Sequence, residues 1–228
     1  MKTNLKNKAI IISMVAVGAI LMSACKKGDD TPIQYGNSYV RVLNTVSTSQ
    51  PQDFYQADTK ITTTAVAYGS ASTSYYTIKG GPSNLKFKDA ATGTTTTSAN
   101  VGVEEGAYFT IFNYKDRSGN IQIGGMKDLS TLPAANKARV RFLNLAYSLN
   151  NSINVKYLVG GALIASSIEI GDTNYVDIDP NLDLGVTVIG SATTATIPGT
   201  NFVSGKIYTI WFDSTTATDA NYHIIVQN

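Results

Sequence analysis

The chain has 228 residues, with 18 basic and 16 acidic side chains, one histidine and one cysteine. A hydrophobic content of 43% excludes a disordered chain, and dispersed lysines and arginines with a formal charge of only +2 lack the clustered positive field that a phosphate backbone requires, which excludes nucleic acid as a partner. The lone histidine rules out a multi-histidine metal site, and the lone cysteine rules out an intrachain disulfide, so stability must come from packed cores.

The chain opens with Lys2, Lys6 and Lys8, then an apolar run from Ala9 that ends in Met22-Ser23-Ala24-Cys25. That run is shorter than the roughly 20 residues needed to cross a bilayer, and basic flank, apolar run and small residues together resemble a bacterial lipoprotein signal. The resemblance implies that residues 1–24 are removed and Cys25 is lipidated, tethering the body to a membrane. Met22 departs from the Leu, Val or Ile usual at its place. Removing the signal leaves 15 basic and 16 acidic residues, net −1. Lys26, Lys27, Asp29 and Asp30 follow at once, in a segment that looks like the charged surface-export tag of Bacteroidetes lipoproteins; the plainer reading is a solvated linker over 25–38. The two readings imply, respectively, cell-surface exposure and a periplasm-facing anchor in the outer membrane.

Beyond the linker, short runs rich in β-branched and aromatic residues alternate with Gly, Ser, Asn and Asp. Tyr39 to Asn44, Asp53 to Ala57, Ser74 to Lys79, Leu85 to Asp89 and Ala107 to Tyr114 read as strands. In the first, Val40 and Val42 alternate with Arg41, which predicts a half-buried strand with the arginine away from the core. Glu104-Glu105 precedes Gly106 and reads as a turn, not as a catalytic carboxylate pair.

An internal repeat then becomes visible. Val40-Arg41-Val42-Leu43-Asn44 returns 100 residues later as Val140-Arg141-Phe142-Leu143-Asn144, Tyr75 and Ile78 return as Tyr175 and Ile178, and Gly106 to Phe112 returns 99 residues later as Gly205 to Trp211. The pattern predicts an all-β chain of two tandem immunoglobulin-like β-sandwich domains, 39–133 and 134–228, joined at Leu132-Pro133-Ala134-Ala135-Asn136.

Asp128 to Pro133 followed by Lys137 to Asn144 resembles the boundary between domains of the DUF4397 family; Asp53 to Asp58 and the turn Ala67-Tyr68-Gly69-Ser70-Ala71-Ser72 fit the same family. In the second copy Ile168 to Asp172 replaces the tyrosine-glycine turn. The resemblance implies a sandwich on secreted or anchored bacterial proteins and supplies no catalytic residues.

Three groups remain as candidate sites. Asp177, Asp179, Asn181 and Asp183 place oxygens at alternate positions, as at the start of a calcium loop, although Leu182 and Val188 stand where an EF-hand needs Gly and Glu; an acidic turn at Pro180-Asn181 is the alternative. Tyr75, Tyr76, Tyr175 and Trp211 could stack on sugar rings, with Trp211 also fitting a core strand. His223 on the last strand suits a solvent-side position, and no Gly-x-Ser-x-Gly elbow, phosphate loop or dinucleotide fingerprint occurs. These observations predict a non-enzymatic, cofactor-free, lipid-anchored envelope protein with a binding, adhesion or structural role toward an envelope protein or glycan. The alternative is a carbohydrate-binding accessory lipoprotein of a polysaccharide-uptake system.

Overall fold

A computed structural model describes residues 34–227. The signal, Cys25, Lys26, Lys27, Asp29 and Asp30 lie outside the described residues. The expected all-β class holds. The first eight strands are β1 (Asn37–Asn44), β2 (Gln52–Gln56), β3 (Thr59–Lys60), β4 (Tyr76–Lys79), β5 (Gly81–Asp89), β6 (Thr95–Val103), β7 (Tyr108–Lys115) and β8 (Ile121–Lys127). The next eight are β9 (Ala138–Asn144), β10 (Ile153–Tyr157), β11 (Leu163–Ile168), β12 (Thr173–Ile178), β13 (Leu184–Val188), β14 (Thr194–Ile197), β15 (Ile207–Asp213) and β16 (Asn221–Val226). A 3-10 turn at Gly199–Asn201 is the one helical element among the described residues, and none there is long and apolar enough to cross a membrane.

Each set of eight forms a sandwich with the same strand order. In the first, the sheet β4-β1-β7-β8 covers β3-β2-β5-β6; in the second, β12-β9-β15-β16 covers β11-β10-β13-β14. Neighbours are antiparallel except β1 with β7 and β9 with β15, which run parallel. Those parallel pairs set Arg41 beside Thr110 and Arg141 beside Thr209.

Alternation places one face of each strand in its own sandwich. Val40, Val42, Phe54, Ile78, Leu85 and Phe87 fill the first core, with the Phe54 and Phe87 rings edge-on at 5.3 Å. Val140, Phe142, Val155, Val186, Ile210 and Phe212 are part of the second. The asparagine that ends each repeated motif is fully buried and ties down the turn opposite. Asn44 Nδ2 donates to Val66 O, Asn144 Nδ2 to Ile168 O, and their carbonyls accept from Gly69 N and Gly171 N. Two turns of different sequence are thereby held alike. Gly69 has φ +79, a backbone conformation that favours glycine, and a Cβ there would stand a tight 3.1 Å from the His223 ring.

The second faces of β1 and β9 are not solvated. Leu43, Phe112 and Tyr114 of the first sandwich pack with Leu143, Leu145 and Trp211 of the second, so the two sheets that carry β1 and β9 face each other. The expectation of an outward Arg41 is corrected here. Arg41 and Arg141 are 7% and 1% exposed, because the face opposite the valines is covered by the other sandwich.

Candidate functional site at the domain junction

The junction carries a polar network with approximate two-fold symmetry. Arg141 donates from Nη2 to Asp128 Oδ1 at 2.8 Å and to Thr110 Oγ1 at 3.1 Å, from Nε to Thr209 Oγ1 at 3.1 Å and from Nη1 to Lys127 O at 3.3 Å. Its counterpart Arg41 reaches the opposite way, donating to Val226 O and Gln227 O. The guanidinium groups lie over the Tyr75 and Tyr175 rings, at 4.5 and 5.2 Å from the centroids. Tyr75 donates to Asp128 Oδ2 at 2.6 Å, and Tyr175 to Gln227 Oε1 at 3.3 Å. Burial, then the Asp128 charge and hydrogen bond, push the Tyr75 hydroxyl above the usual phenol range.

Asp128 and Gln227 occupy equivalent places and touch, with Gln227 Nε2 donating to Asp128 Oδ1 at 3.0 Å. Aspartate at both would press two carboxylates together out of water; the amide converts that repulsion into a hydrogen bond.

At the other end of the seam, Trp211 is fully buried beneath His223, whose ring stacks on it at 3.9 Å and 8°. His223 Nε2 lies 3.2 Å from Asp213 Oδ2, which also accepts from the Tyr68 hydroxyl. Burial pushes the Asp213 carboxyl up, but the His223 and Tyr68 hydrogen bonds outweigh it and hold it below the ordinary range. Burial, helped by the bond to Asp213, raises the Tyr68 hydroxyl. His223 is half-buried in the seam instead of standing in solvent.

The sugar-stacking candidates separate accordingly. Trp211 is corrected: no face of its ring reaches solvent, because β15 lies between the sandwiches. Tyr175 is half-buried with its ring against Arg141, and Tyr76 is half-buried with its hydroxyl 3.3 Å from Thr63 Oγ1. Tyr75 borders a cleft of about 420 Å³ at the junction, together with Glu104, Glu105, Lys127, Ser130 and a residue not singled out from the sequence, Tyr108. Tyr108 is 45% exposed; its ring stacks on Tyr39 at 4.6 Å and 18° and meets Tyr75 edge-on at 5.1 Å. Its neighbour Phe109 packs toward the core, and strand alternation sends Tyr108 the other way. That signal was legible in Tyr108-Phe109-Thr110, but which ring faces solvent was not. Glu104 and Glu105 stand in the turn between β6 and β7, with Glu104 paired to Lys127 at 2.6 Å.

The calcium reading is also corrected. Arg139 donates to both oxygens of Asp177, at 2.6 and 3.1 Å, and Lys137 pairs with Asp179. Asp183 accepts from Gly199 N at 2.8 Å, and Asn181 takes a left-handed turn conformation with φ +69. The Arg139 hydrogen bond chiefly holds the Asp177 carboxyl below its ordinary range. Cations of the chain itself already neutralise Asp177 and Asp179, two of the carboxylates that a calcium ion would need, and a backbone N–H holds Asp183. Among the described residues no group of three or more His, Cys, Asp or Glu converges as metal ligands do.

No curated protein matches the chain. Among solved structures, it is similar to CBMbc (family CBM26) from Eubacterium rectale Amy13K, crystallised with maltoheptaose, with 14% identity, 82% of this chain and 96% of that chain covered, and a TM-score of 0.26. It is also similar to a fimbrial assembly protein from Parabacteroides distasonis, with 10% identity, 85% and 99% coverage, and a TM-score of 0.24. A family match spans residues 38–156, from the second residue of β1 through the first sandwich and into β10. The chain belongs to the family described as Domain of unknown function (DUF4397).

Proposed function

We propose that this chain is a non-enzymatic, lipid-anchored protein of the bacterial cell envelope, whose two copies of one family domain, divided at residues 133 and 134, act as a single stiff binding or structural body. The observation that carries this reading is the seam. Arg41, Arg141 and Trp211 are buried between the sandwiches, so the two would separate only by exposing charged and aromatic groups together. A body of that kind presents its outer sheets, edge strands and end loops to a partner, held at a constant mutual orientation. Anchorage rests on Cys25, with surface exposure resting on the charged segment behind it and a periplasm-facing position as the alternative. Cys25→Ala is expected to release the protein from the membrane fraction, and protease applied to intact cells is expected to digest it. Unchanged membrane retention overturns the anchor; full protection overturns surface exposure.

A second reading, carbohydrate recognition, is favoured by Tyr108. An exposed ring already braced by Tyr39 offers a flat apolar face beside the carboxylates and hydroxyls of the cleft, the pairing of contacts that a sugar ring uses. A thermal-shift screen of the chain from Lys26 against neutral polysaccharides tests it, since a ligand that binds only the folded state raises the melting temperature. A shift abolished by Tyr108→Ala supports this reading; no shift across the panel leaves the protein-partner or structural role.

A further inference from the structure

The two sandwiches share one strand order but fill their cores unequally. In the second, Phe202 is buried and meets the buried Tyr208 ring edge-on at 5.3 Å, while Ile224 of β16 packs onto the same core. The register that sets Ile224 opposite Ile210 sets Gly125 opposite Ile111 in the first, and the 99-residue offset sets Val103 against Phe202. At Gly125 the Ile111 side chain already takes up the space, but the smaller Val103 leaves the first sandwich with a cavity of about 130 Å³.

No charged side chain lines this cavity. A polar ligand would find few partners there, and an apolar void of this size does not favour water. Gly102 of β6 and Gly125 of β8 line it and are exposed, which puts its opening between these edge strands of opposite sheets that share no hydrogen-bonded ladder. A Cβ added to Gly102 would meet nothing within 4 Å, because Val101 and Val103 face the core and alternation turns position 102 outward. The cavity is not a simple sphere. Ile111 and Phe112, neighbours that point to opposite faces of β7, both line it, as do Val40 in the sandwich core and Leu145 of the second sandwich. Space lined from both faces of β7 bends around that strand, which suits a flexible chain and not a rigid ring.

We propose that this cavity binds one unbranched acyl chain, which enters between β6 and β8 and leaves its polar head in solvent. This site is separate from the Tyr108 cleft and independent of the role proposed above. All sixteen strands lie within residues 37–226, so a chain beginning at Lys26 retains the whole core without its own lipid. That protein is titrated with 11-(dansylamino)undecanoic acid, followed by displacement with dodecanoate. Saturable binding of one equivalent is expected, weakened at least tenfold by Val103→Phe, which installs the side chain of the second sandwich, and by Val101→Phe, which fills the space from the neighbouring core-facing position of β6. Tyr108→Ala should leave it unchanged. Absence of saturable binding overturns the proposal, as does unaltered affinity in a folded filling variant; should Val103→Phe not fold, Val101→Phe decides. Cosedimentation with phosphatidylethanolamine vesicles in addition assigns the chain to membrane lipid, whereas dodecanoate binding without it assigns a free fatty acid, and both outcomes uphold the site.

Discussion

Replacing Arg141 with methionine keeps much of the side-chain volume and removes all of that side chain's donors from the centre of the seam. Arg141 is 1% exposed, and its loss takes from Asp128 a 2.8 Å charge-assisted bond and from Thr209 the bond of Nε, while Lys127 O loses its side-chain donor. Removing one partner of a buried ion pair costs about 3–5 kcal/mol, because the other charge stays behind in a poorly solvated place. Asp128 keeps the hydroxyls of Tyr75 and Thr110 and the Gln227 amide as donors, which sets the expected cost near the lower end, at about 3 kcal/mol. For a cooperative unit of this size that lowers Tm by roughly 6–12 °C. Arg139→Met is the internal comparison: its bond to Asp177 is equally short, but both side chains are partly exposed, so a cost of no more than about 1 kcal/mol is expected. Thermal and urea denaturation of Arg141→Met, Asp128→Leu and the double variant complete a cycle in which the double variant is less damaged than the sum of the singles by about 1–3 kcal/mol. A Tm drop below 2 °C for Arg141→Met, or strict additivity, would refute the view that this network holds the sandwiches together.

Acid should weaken the opposite end of the seam. The Asp213 carboxyl is depressed in the folded state, so its contribution is present above its unfolded value near ~3.9 and is lost as pH falls through the folded one. Asp213→Asn should lower Tm at pH 6 and flatten its further decline below pH 4; a parallel decline in both proteins contradicts this. At the alkaline side, Tyr68 and Tyr75 are raised, so the stability they contribute is present below about 10 and is lost as pH rises through their folded values. Absorbance at 295 nm should show these two titrating only with unfolding, and Tyr75→Phe should remove one late-titrating group; normal titration of all tyrosines in the folded protein argues against the buried hydroxyls. Millimolar calcium should leave Tm unchanged, because Arg139 and Lys137 hold Asp177 and Asp179; a reproducible rise would restore the calcium reading.

How far the candidate site was legible depends on what each residue's role requires. The seam arginines were visible as a repeated Val-Arg-x-Leu-Asn motif, and Tyr75 and Tyr175 as a repeated pair, but nothing in their spacing said that each arginine would lie over the tyrosine of its own copy. Tyr108 stood in a recognised strand, yet its exposure depends on the cleft that Lys127, Asp128 and Ser130 open beside it. Trp211 lay in an apolar run that fitted a core strand, and it is buried; what buries it is the other sandwich together with His223.

The all-β class, the five strands that match β1, β2, β4, β5 and β7, and the duplicated order were determined by the sequence itself, since they follow from local steric preference, period-two alternation and self-similarity at 99 to 100 residues, whereas β3, β6 and β8 were not read from it. Alternation separates a strand into two faces, but it does not say what covers the second. Only tertiary structure decided that Arg41 and Arg141 are enclosed, that Trp211 is closed off by His223, and that the first core is left partly empty beside Val103. Each of these depends on the docking of one sandwich on the other or on volumes summed across strands far apart in the chain, and a linear pattern carries neither quantity.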